Sequence, residues 1–236
     1  IKKDDPKWED RDRFILSKGH AGIAYAPVLC DFGYNDPEQL KTFNLTNSKM
    51  GIHLDSNKVA GVDASTGSLG HGIPIAAGTA IAARVLGKDY YTYVVTGDGE
   101  LDEGSNWEGL MTIHHYNLTN CITIVDRNHC MIDGNTEDVM KLEPLADKFT
   151  AFGFHTIVCE GNNIVSLCKA IDEAHKTKDK PTAIIADTVK GVGIKLTSGN
   201  YKWHYGAIDE EMAKVAAKDL DEYSAERIAR CGKEFE

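Results

Sequence analysis

The sequence of 236 residues has 26 basic and 36 acidic side chains, a formal net charge of −10, and 42% hydrophobic residues. This composition is ordinary for a globular protein that is long enough to bury a substantial core. The acidic balance argues against a protein that binds nucleic acid without regard to sequence, since such binding requires a basic face. No apolar run approaches the roughly 18 residues of a membrane span, so we expect neither nucleic acid nor a membrane as a partner.

The chain begins at Ile1 rather than at Met, inside a stretch (1–13) that is too charged to be the apolar region of a signal peptide. We expect either that a leader has been removed or that the chain is incomplete at this end. The six cysteines form no C-x-x-C pair and no zinc-binding spacing with histidines. We therefore expect scattered buried thiols in a reducing cytoplasm, at Cys30, Cys121, Cys130, Cys159, Cys168 and Cys231.

Short apolar segments alternate with segments that carry apolar residues at helical spacing. This alternation is typical of βαβ units and predicts an α/β fold, with a three-layer, doubly wound, mainly parallel sheet flanked by helices. No break in composition marks a second domain, so we expect a single domain over residues 1–236. In chain order, the pattern predicts helix 70–86, strand 90–96, helix 103–116, strand 121–125, strand 155–159, helix 164–176, strand 182–186 and helix 209–229.

Two polar residues follow neighbouring predicted strands at the edge where an open parallel sheet binds its ligands. Asp98 stands between Gly97 and Gly99, and Asn128 follows 30 residues later, which is about one strand-to-strand crossover. Taken alone, Asp98 is explained as well by a helix cap and Asn128 by a turn. Together, a carboxylate oxygen and an amide oxygen at one edge suit Mg²⁺ shared with a diphosphate.

The motif GDG followed by Asn after about 30 residues is the thiamine diphosphate signature. Five further motifs resemble those of transketolases in the same order, and together they cover nearly the whole chain: SKGH (17–20), STGSLG (65–70), GELDEG (99–104), DTVKG (187–191) and WH (203–204). The resemblance is to the N-terminal, diphosphate-binding half of these enzymes. That half occurs as a separate subunit in split, two-subunit transketolases.

The resemblance implies that thiamine diphosphate and Mg²⁺ (or Ca²⁺ or Mn²⁺ in its place) bind here. The side chains of Asp98 and Asn128 and the backbone carbonyl of Cys130 match the protein ligands of the metal, and two diphosphate oxygens and a water would complete an octahedron. Further residues match positions that contact the cofactor, through the diphosphate (Gly99, Asn128), the aminopyrimidine ring (Gly67, Leu69) or an apolar wall of the pocket (Ile132).

Three histidines stand inside matching motifs, although any one of them alone would be read as an ordinary core or surface residue. His20 matches a histidine that reaches the diphosphate and the reacting centre, and His204 matches one in a late loop that closes over the cofactor. His53, which is 14 residues before Gly67, fits a histidine near the substrate hydroxyls. All three are expected to be catalytic, because imidazoles hold or move protons near neutral pH. His71 replaces the Gln that transketolases commonly have, and we expect this to be a neutral change at a helix start.

The resemblance also implies partners. Glu103 and Glu108 match glutamates of a carboxylate network between the two active sites of a dimer. The sequence contains no candidate for the pyrimidine-binding domain, so we expect a partner subunit that carries it, in a heterotetramer. The helical segment that precedes SKGH in transketolases, with its own G-H-P-G motif, is also expected to be missing.

The expected activity is the transfer of a two-carbon ketol unit from a ketose to an aldose, phosphorylated or not. Two alternatives stay open. The first is another thiamine diphosphate enzyme, either a deoxyxylulose-phosphate synthase or the α chain of a 2-oxo acid dehydrogenase. The second is a subunit that holds the cofactor without catalysis.

Overall fold

The computed structural model describes residues 1–231 and contains a five-stranded sheet in which all strands are parallel. The strand order is β1-β2-β3-β5-β4. The predicted α/β fold with a mainly parallel sheet is confirmed, whereas the expectation of a single domain over 1–236 stays a prediction. The strands are β1 (Arg13–Leu16), β2 (Thr92–Gly97), β3 (Cys121–Arg127), β4 (His155–Glu160) and β5 (Thr182–Asp187).

Within the described part of the chain, the strands are connected and flanked by helices α1 (Gly22–Asp31), α2 (Gly72–Val85), α3 (Gly104–His115), α4 (Thr136–Val139), α5 (Leu145–Ala151), α6 (Ile164–Lys176) and α7 (Glu210–Cys231). Short 3₁₀ turns lie at Gly19–Ala21, Pro37–Thr42, Gly99–Asp102 and Tyr201–His204. None of the helices in residues 1–231 is long and apolar enough to cross a membrane.

The sheet is covered on both faces, as the continuous apolar strands predict. On one face, Val94, Val125 and Ile185 pack with residues of α2, α3 and α5 in the largest buried cluster. On the other face, Ile122 and Ile184 pack against α6. Because successive side chains of a strand point to opposite faces, the alternation along β3 and β5 assigns these residues to two separate layers.

The first strand is not among the predicted elements. The short strand β1 directly follows the charged stretch 1–12 and forms one edge of the sheet beside β2, with Arg13 opposite Thr92. Helices α1, α4 and α5 are also absent from the prediction. All the strands and helices that were predicted are present, with ends that differ by a few residues. Strand β3 also includes Asp126 and Arg127, which were expected to follow the strand.

The expectation of buried thiols is wrong for part of the set. Cys30, Cys121 and Cys130 are buried, but Cys159 is half-buried and Cys168 on α6 is exposed. Cys168 is exposed because it lies on the side of α6 that faces away from Ala170 and Ala174, which pack against the sheet. The side chain of Cys231 lies outside the described residues.

The packing of α3 against the sheet gives a test of the core. Truncating the fully buried Ile113 to alanine should lower the free energy of unfolding by about 2–5 kcal/mol, because the change leaves a cavity. Ile164→Ala is a matched control on another helix, where the side chain is 67% exposed, and it should change the free energy by no more than about 0.5 kcal/mol. Urea unfolding followed by circular dichroism measures both, and equal effects would contradict this assignment of the core.

Candidate active site

A cleft of about 640 Å³ opens at the carboxyl ends of the strands. Parallel sheets bind ligands at this edge, where loops and helix N-termini meet. The cleft brings together residues from five distant motifs of the sequence. The lining includes nine residues that were predicted from the sequence: His20, His53, Gly67, Leu69, Gly99, Asn128, Cys130, Ile132 and His204.

Asp98 lies beside this cleft and is only 1% exposed. Strands β2 and β3 are neighbours, with Gly97 opposite Asp126, so the two polar strand ends meet as the spacing predicts. The Asp98 carboxylate accepts one hydrogen bond from the Gly99 N–H (2.8 Å) in the manner of a helix cap. Its other oxygen accepts from the His129 N–H at 2.7 Å. This second bond holds the loop after β3 against the end of β2.

The site also contains a buried arginine that the sequence motifs did not indicate. Arg127 donates to Asp98 Oδ2 at 3.0 Å and to Thr136 Oγ1 at 2.6 Å, and it forms a further ion pair with Glu143 at 2.9 Å. Its side chain is 3% exposed. Arg127 therefore fixes the position of the Asp98 carboxylate and ties segment 136–143, which contains α4, to β3.

The residues predicted to hold a metal carry three kinds of oxygen group that suit a hard divalent cation. The Asn128 amide oxygen accepts from the Cys130 N–H at 3.1 Å and keeps a second lone pair. Within residues 1–231, no hydrogen bond is made to the Cys130 carbonyl oxygen. A carboxylate, an amide oxygen and a carbonyl oxygen match the donors that Mg²⁺ and Ca²⁺ take. The described residues contain no cluster of three or more His, Cys, Asp or Glu side chains for a metal ion, so a zinc-type site is not found there.

Positively charged and imidazole groups line the same cleft. His204 Nδ1 lies 3.2 Å from Lys190 Nζ, and the rings of His20 and His204 are 5.1 Å apart. Burial, followed by the charge of Lys18 and by His204, Lys190 and His53, lowers the pKa of His20 to about 4. Burial and the neighbouring lysines also lower the pKa of His204, and burial and Lys18 lower that of Lys190. Lys18 and Lys190 thus bring positive charge to the cleft, whose lining also includes the acidic side chains of Glu100, Asp102 and Asp133.

Lys18 is partly neutralised by an ion pair with Asp126, whose carboxylate lies 2.6 Å from its ammonium. Burial opposes the charge on Asp126, but Lys18 and hydrogen bonds from Thr188 and Asn128 hold the pKa of this carboxyl below its usual value. Lys190 has no carboxylate within ion-pair distance among residues 1–231. The two lysines were missed as site residues, although Lys18 stands in SKGH and Lys190 in DTVKG.

The remaining predicted residues occupy different places. His53 is exposed at the cleft and packs against Gly67, where a Cβ atom would come within 2.5 Å of the imidazole ring. Ile132 is 68% exposed at the cleft. Glu103 and Glu108 are exposed at the start and on the surface of α3, outside the cleft lining. His71 is the exposed N-cap residue directly before α2 and lies outside the lining, and its replacement of Gln stays a predicted neutral change.

Comparison with known proteins identifies the family. The profile of the family described as transketolase, thiamine diphosphate binding domain, matches residues 1–225. One of the subunits of the apulose-4-phosphate transketolase of Actinobacillus succinogenes is 40% identical over 211 residues, which are 89% of this chain and 76% of that protein. The 6-deoxy-6-sulfo-D-fructose transketolase subunit SqwG of a Clostridium species is 37% identical over 221 residues, which are 94% of this chain and 80% of that protein.

Solved structures agree with this result. The transketolase of Campylobacter jejuni superposes with a TM-score of 0.86 and 32% identity, over 92% of this chain and 35% of that one. The chain therefore belongs to the transketolase family and corresponds to its N-terminal, thiamine diphosphate-binding domain, so the resemblance stated from the motifs is confirmed. It spans about a third of the length of the solved transketolase chains.

The lowered pKa of His20 predicts a pH dependence of stability. Between about pH 4 and 6.5 the folded chain binds fewer protons at His20 than the unfolded chain does. The contribution of the neutral ring to the free energy of unfolding is therefore present above pH 6.5, and it is lost as the pH falls through this range. His20→Gln should reduce the slope of unfolding free energy against pH, while His204 leaves a residual slope. An NMR titration of His20 near pH 6.5 or above would contradict this expectation.

The buried pair of Arg127 and Asp98 predicts a large effect on stability. Arg127→Met should lower the free energy of unfolding by about 3–5 kcal/mol, because it leaves the Asp98 carboxylate buried without its cationic partner. The control is Lys88→Met, which removes the surface pair with Asp10 and should lower the free energy of unfolding far less, because water and salt screen exposed charges. Denaturant unfolding in the presence of a metal chelator measures both variants. A loss for Arg127→Met as small as that of the control would show that the pair contributes little.

Proposed function

We propose that this chain is the thiamine diphosphate-binding subunit of a transketolase that transfers a two-carbon ketol unit from a ketose donor to an aldose acceptor. The observation that supports this most directly is the arrangement of one cleft. Asn128, Cys130 and Lys190 line this cleft, and the buried Asp98 lies beside it, bound to the His129 N–H. A divalent cation and a diphosphate need these two kinds of group next to each other.

The residues present fit this cofactor. Asp98, Asn128 and the Cys130 carbonyl would hold Mg²⁺, and Lys18, Lys190, His20 and His204 would face the negative charge of the diphosphate. Gly67, Leu69 and Gly99 bring backbone to the cleft, and a Cβ on Gly99 would come within 3.0 Å of Met131. When bound, thiamine diphosphate supplies the carbon nucleophile that breaks a carbon–carbon bond of the ketose.

Two histidines of the cleft, His20 and His204, act as neutral groups in this proposal. Because an ammonium can only donate a hydrogen bond, Lys190 donates to His204 Nδ1, and the proton of the neutral ring therefore stands on Nε2. His20 stays unprotonated at neutral pH, since its pKa is lowered to about 4. Neutral imidazoles accept and return a proton, and with the exposed ring of His53 they are the groups we assign to the hydroxyls of the sugar.

The site is completed by a partner subunit in this proposal. Both relatives described above carry names of transketolase subunits. The partner would bring the pyrimidine-binding domain, and Glu103 and Glu108 on the exposed side of α3 would join the carboxylate network between two active sites. We infer a heterotetramer that acts on sugars or sugar phosphates in the cytoplasm.

The proposal predicts metal-dependent cofactor binding that requires Asp98. For the chain copurified with a pyrimidine-domain partner, calorimetry with MgCl₂ should show thiamine diphosphate binding. Asp98→Asn should weaken this binding by at least about 100-fold, which exceeds the usual loss on removing an outer-shell partner. Asn128→Ala is a second variant in case Asp98→Asn does not fold, and exposed Asp172→Asn on α6 is the control.

The reaction is tested on the same complex with ketose and ketose phosphate donors against pyruvate. Transfer from a ketose to an aldose that requires both chains is the expected result. Turnover of pyruvate in its place would indicate another thiamine diphosphate enzyme. Cofactor binding without any turnover would indicate a subunit that only holds the cofactor, and full activity of this chain alone would contradict the requirement for a partner.

A further inference from the structure

A second buried carboxylate at the cleft belongs to Glu100, the residue directly after Gly99 in the sequence. Glu100 is 3% exposed and lines the cleft. Its Oε1 accepts from Ser17 Oγ at 2.5 Å and from the Gly70 N–H at 3.0 Å. Its Oε2 accepts from Thr96 Oγ1 at 2.8 Å and from the Gly97 N–H at 3.1 Å. All four donors are neutral.

These donors come from three separate segments of the cofactor site. Ser17 begins SKGH, Gly70 ends STGSLG, and Thr96 and Gly97 lead into the glycine-flanked Asp98. Ser17 Oγ also accepts from the Gly72 N–H at 3.1 Å, so the same contacts reach the first turn of α2. One carboxylate thus joins residues that are 83 and 30 positions away in the sequence.

A charge that is buried among neutral donors is not a strong source of stability, because its desolvation offsets much of what the hydrogen bonds contribute. Its location suggests another role. We propose that Glu100 is a positioning residue for the cofactor, which holds segments 17–20, 67–70 and 97–99 in the arrangement that binds thiamine diphosphate. This inference rests on the proposed function.

The chemistry of the four contacts makes the carboxylate difficult to replace. The two backbone N–H groups, of Gly70 and Gly97, point to opposite oxygens of Glu100. Hydroxyl groups can turn and accept, but a backbone N–H can only donate. A glutamine has one oxygen, so either orientation of its amide leaves one of these N–H groups facing an NH₂ group. Glu100→Gln therefore keeps the shape of the side chain and loses at least one of the links.

The test uses the complex with the pyrimidine-domain partner, in which thiamine diphosphate is titrated at fixed MgCl₂. Glu100→Gln should raise the Kd and the KM for the cofactor about 10-fold, as expected for one unsatisfied buried donor, with kcat at saturating cofactor close to that of the wild type. Ser17→Ala removes only the link to SKGH and should give a smaller rise. Glu173→Gln, a surface carboxylate that pairs with His155, is the control and should change neither value.

The outcomes separate the two proposals. A lower Tm for Glu100→Gln with unchanged Kd and KM would mean that the residue is merely structural and would overturn the positioning role. If Glu100→Gln does not fold, Ser17→Ala decides, and an unchanged Kd for that variant overturns the role. A wild-type complex that binds no thiamine diphosphate would overturn the proposed function together with this inference.

Discussion

The site depends on the hydrogen bonds by which Asp98 joins the end of β2 to the end of β3. The Asp98 side chain is 1% exposed, and burying a carboxylate to this extent costs free energy unless hydrogen-bond donors surround it. Two of its donors, the side chain of Arg127 and the N–H of His129, come from the neighbouring strand and the loop that follows it. The contacts that satisfy Asp98 are therefore the same contacts that bring Asn128 and Cys130 to it. Without the parallel pairing of β2 and β3, these oxygen groups would not meet.

Much of this arrangement could be predicted, because it follows from local patterns. Strands β3 and β5 are buried on both faces and read as continuous apolar runs, and α6 shows one apolar stripe, so their positions followed from the sequence. The meeting of Asp98 and Asn128 followed from the length of a single crossover. The five motifs that contribute residues to the cleft were found through the resemblance.

The missed features have a common physical reason. Strand β1 has four residues at the edge of the sheet, and its apolar run of Phe14, Ile15 and Leu16 is too short to indicate a strand by itself. The contacts of Arg127 with Asp98 and of Glu100 with Ser17 join side chains that are 29 and 83 residues apart. No periodic pattern in the sequence indicates such pairs. The sequence also does not distinguish a buried charged residue next to a strand end from a solvated one. Only the packed chain shows that these charges face inward.

Local charge, not net charge, decides what this cleft can bind. The chain carries a net charge of −10, but exposed charges farther away than about 8–10 Å are largely screened by salt. Lys18 and Lys190, in contrast, lie at the cleft itself.

Lys18 also acts on the oxygen donors. Its partner Asp126 accepts from Asn128 Nδ2 at 3.3 Å, and this contact directs the amide nitrogen toward the carboxylate. A flipped amide would set its oxygen against Asp126, so the oxygen of Asn128 is fixed on the other side, where it accepts from Cys130. The positive groups and the oxygen donors are thus oriented by one continuous set of contacts.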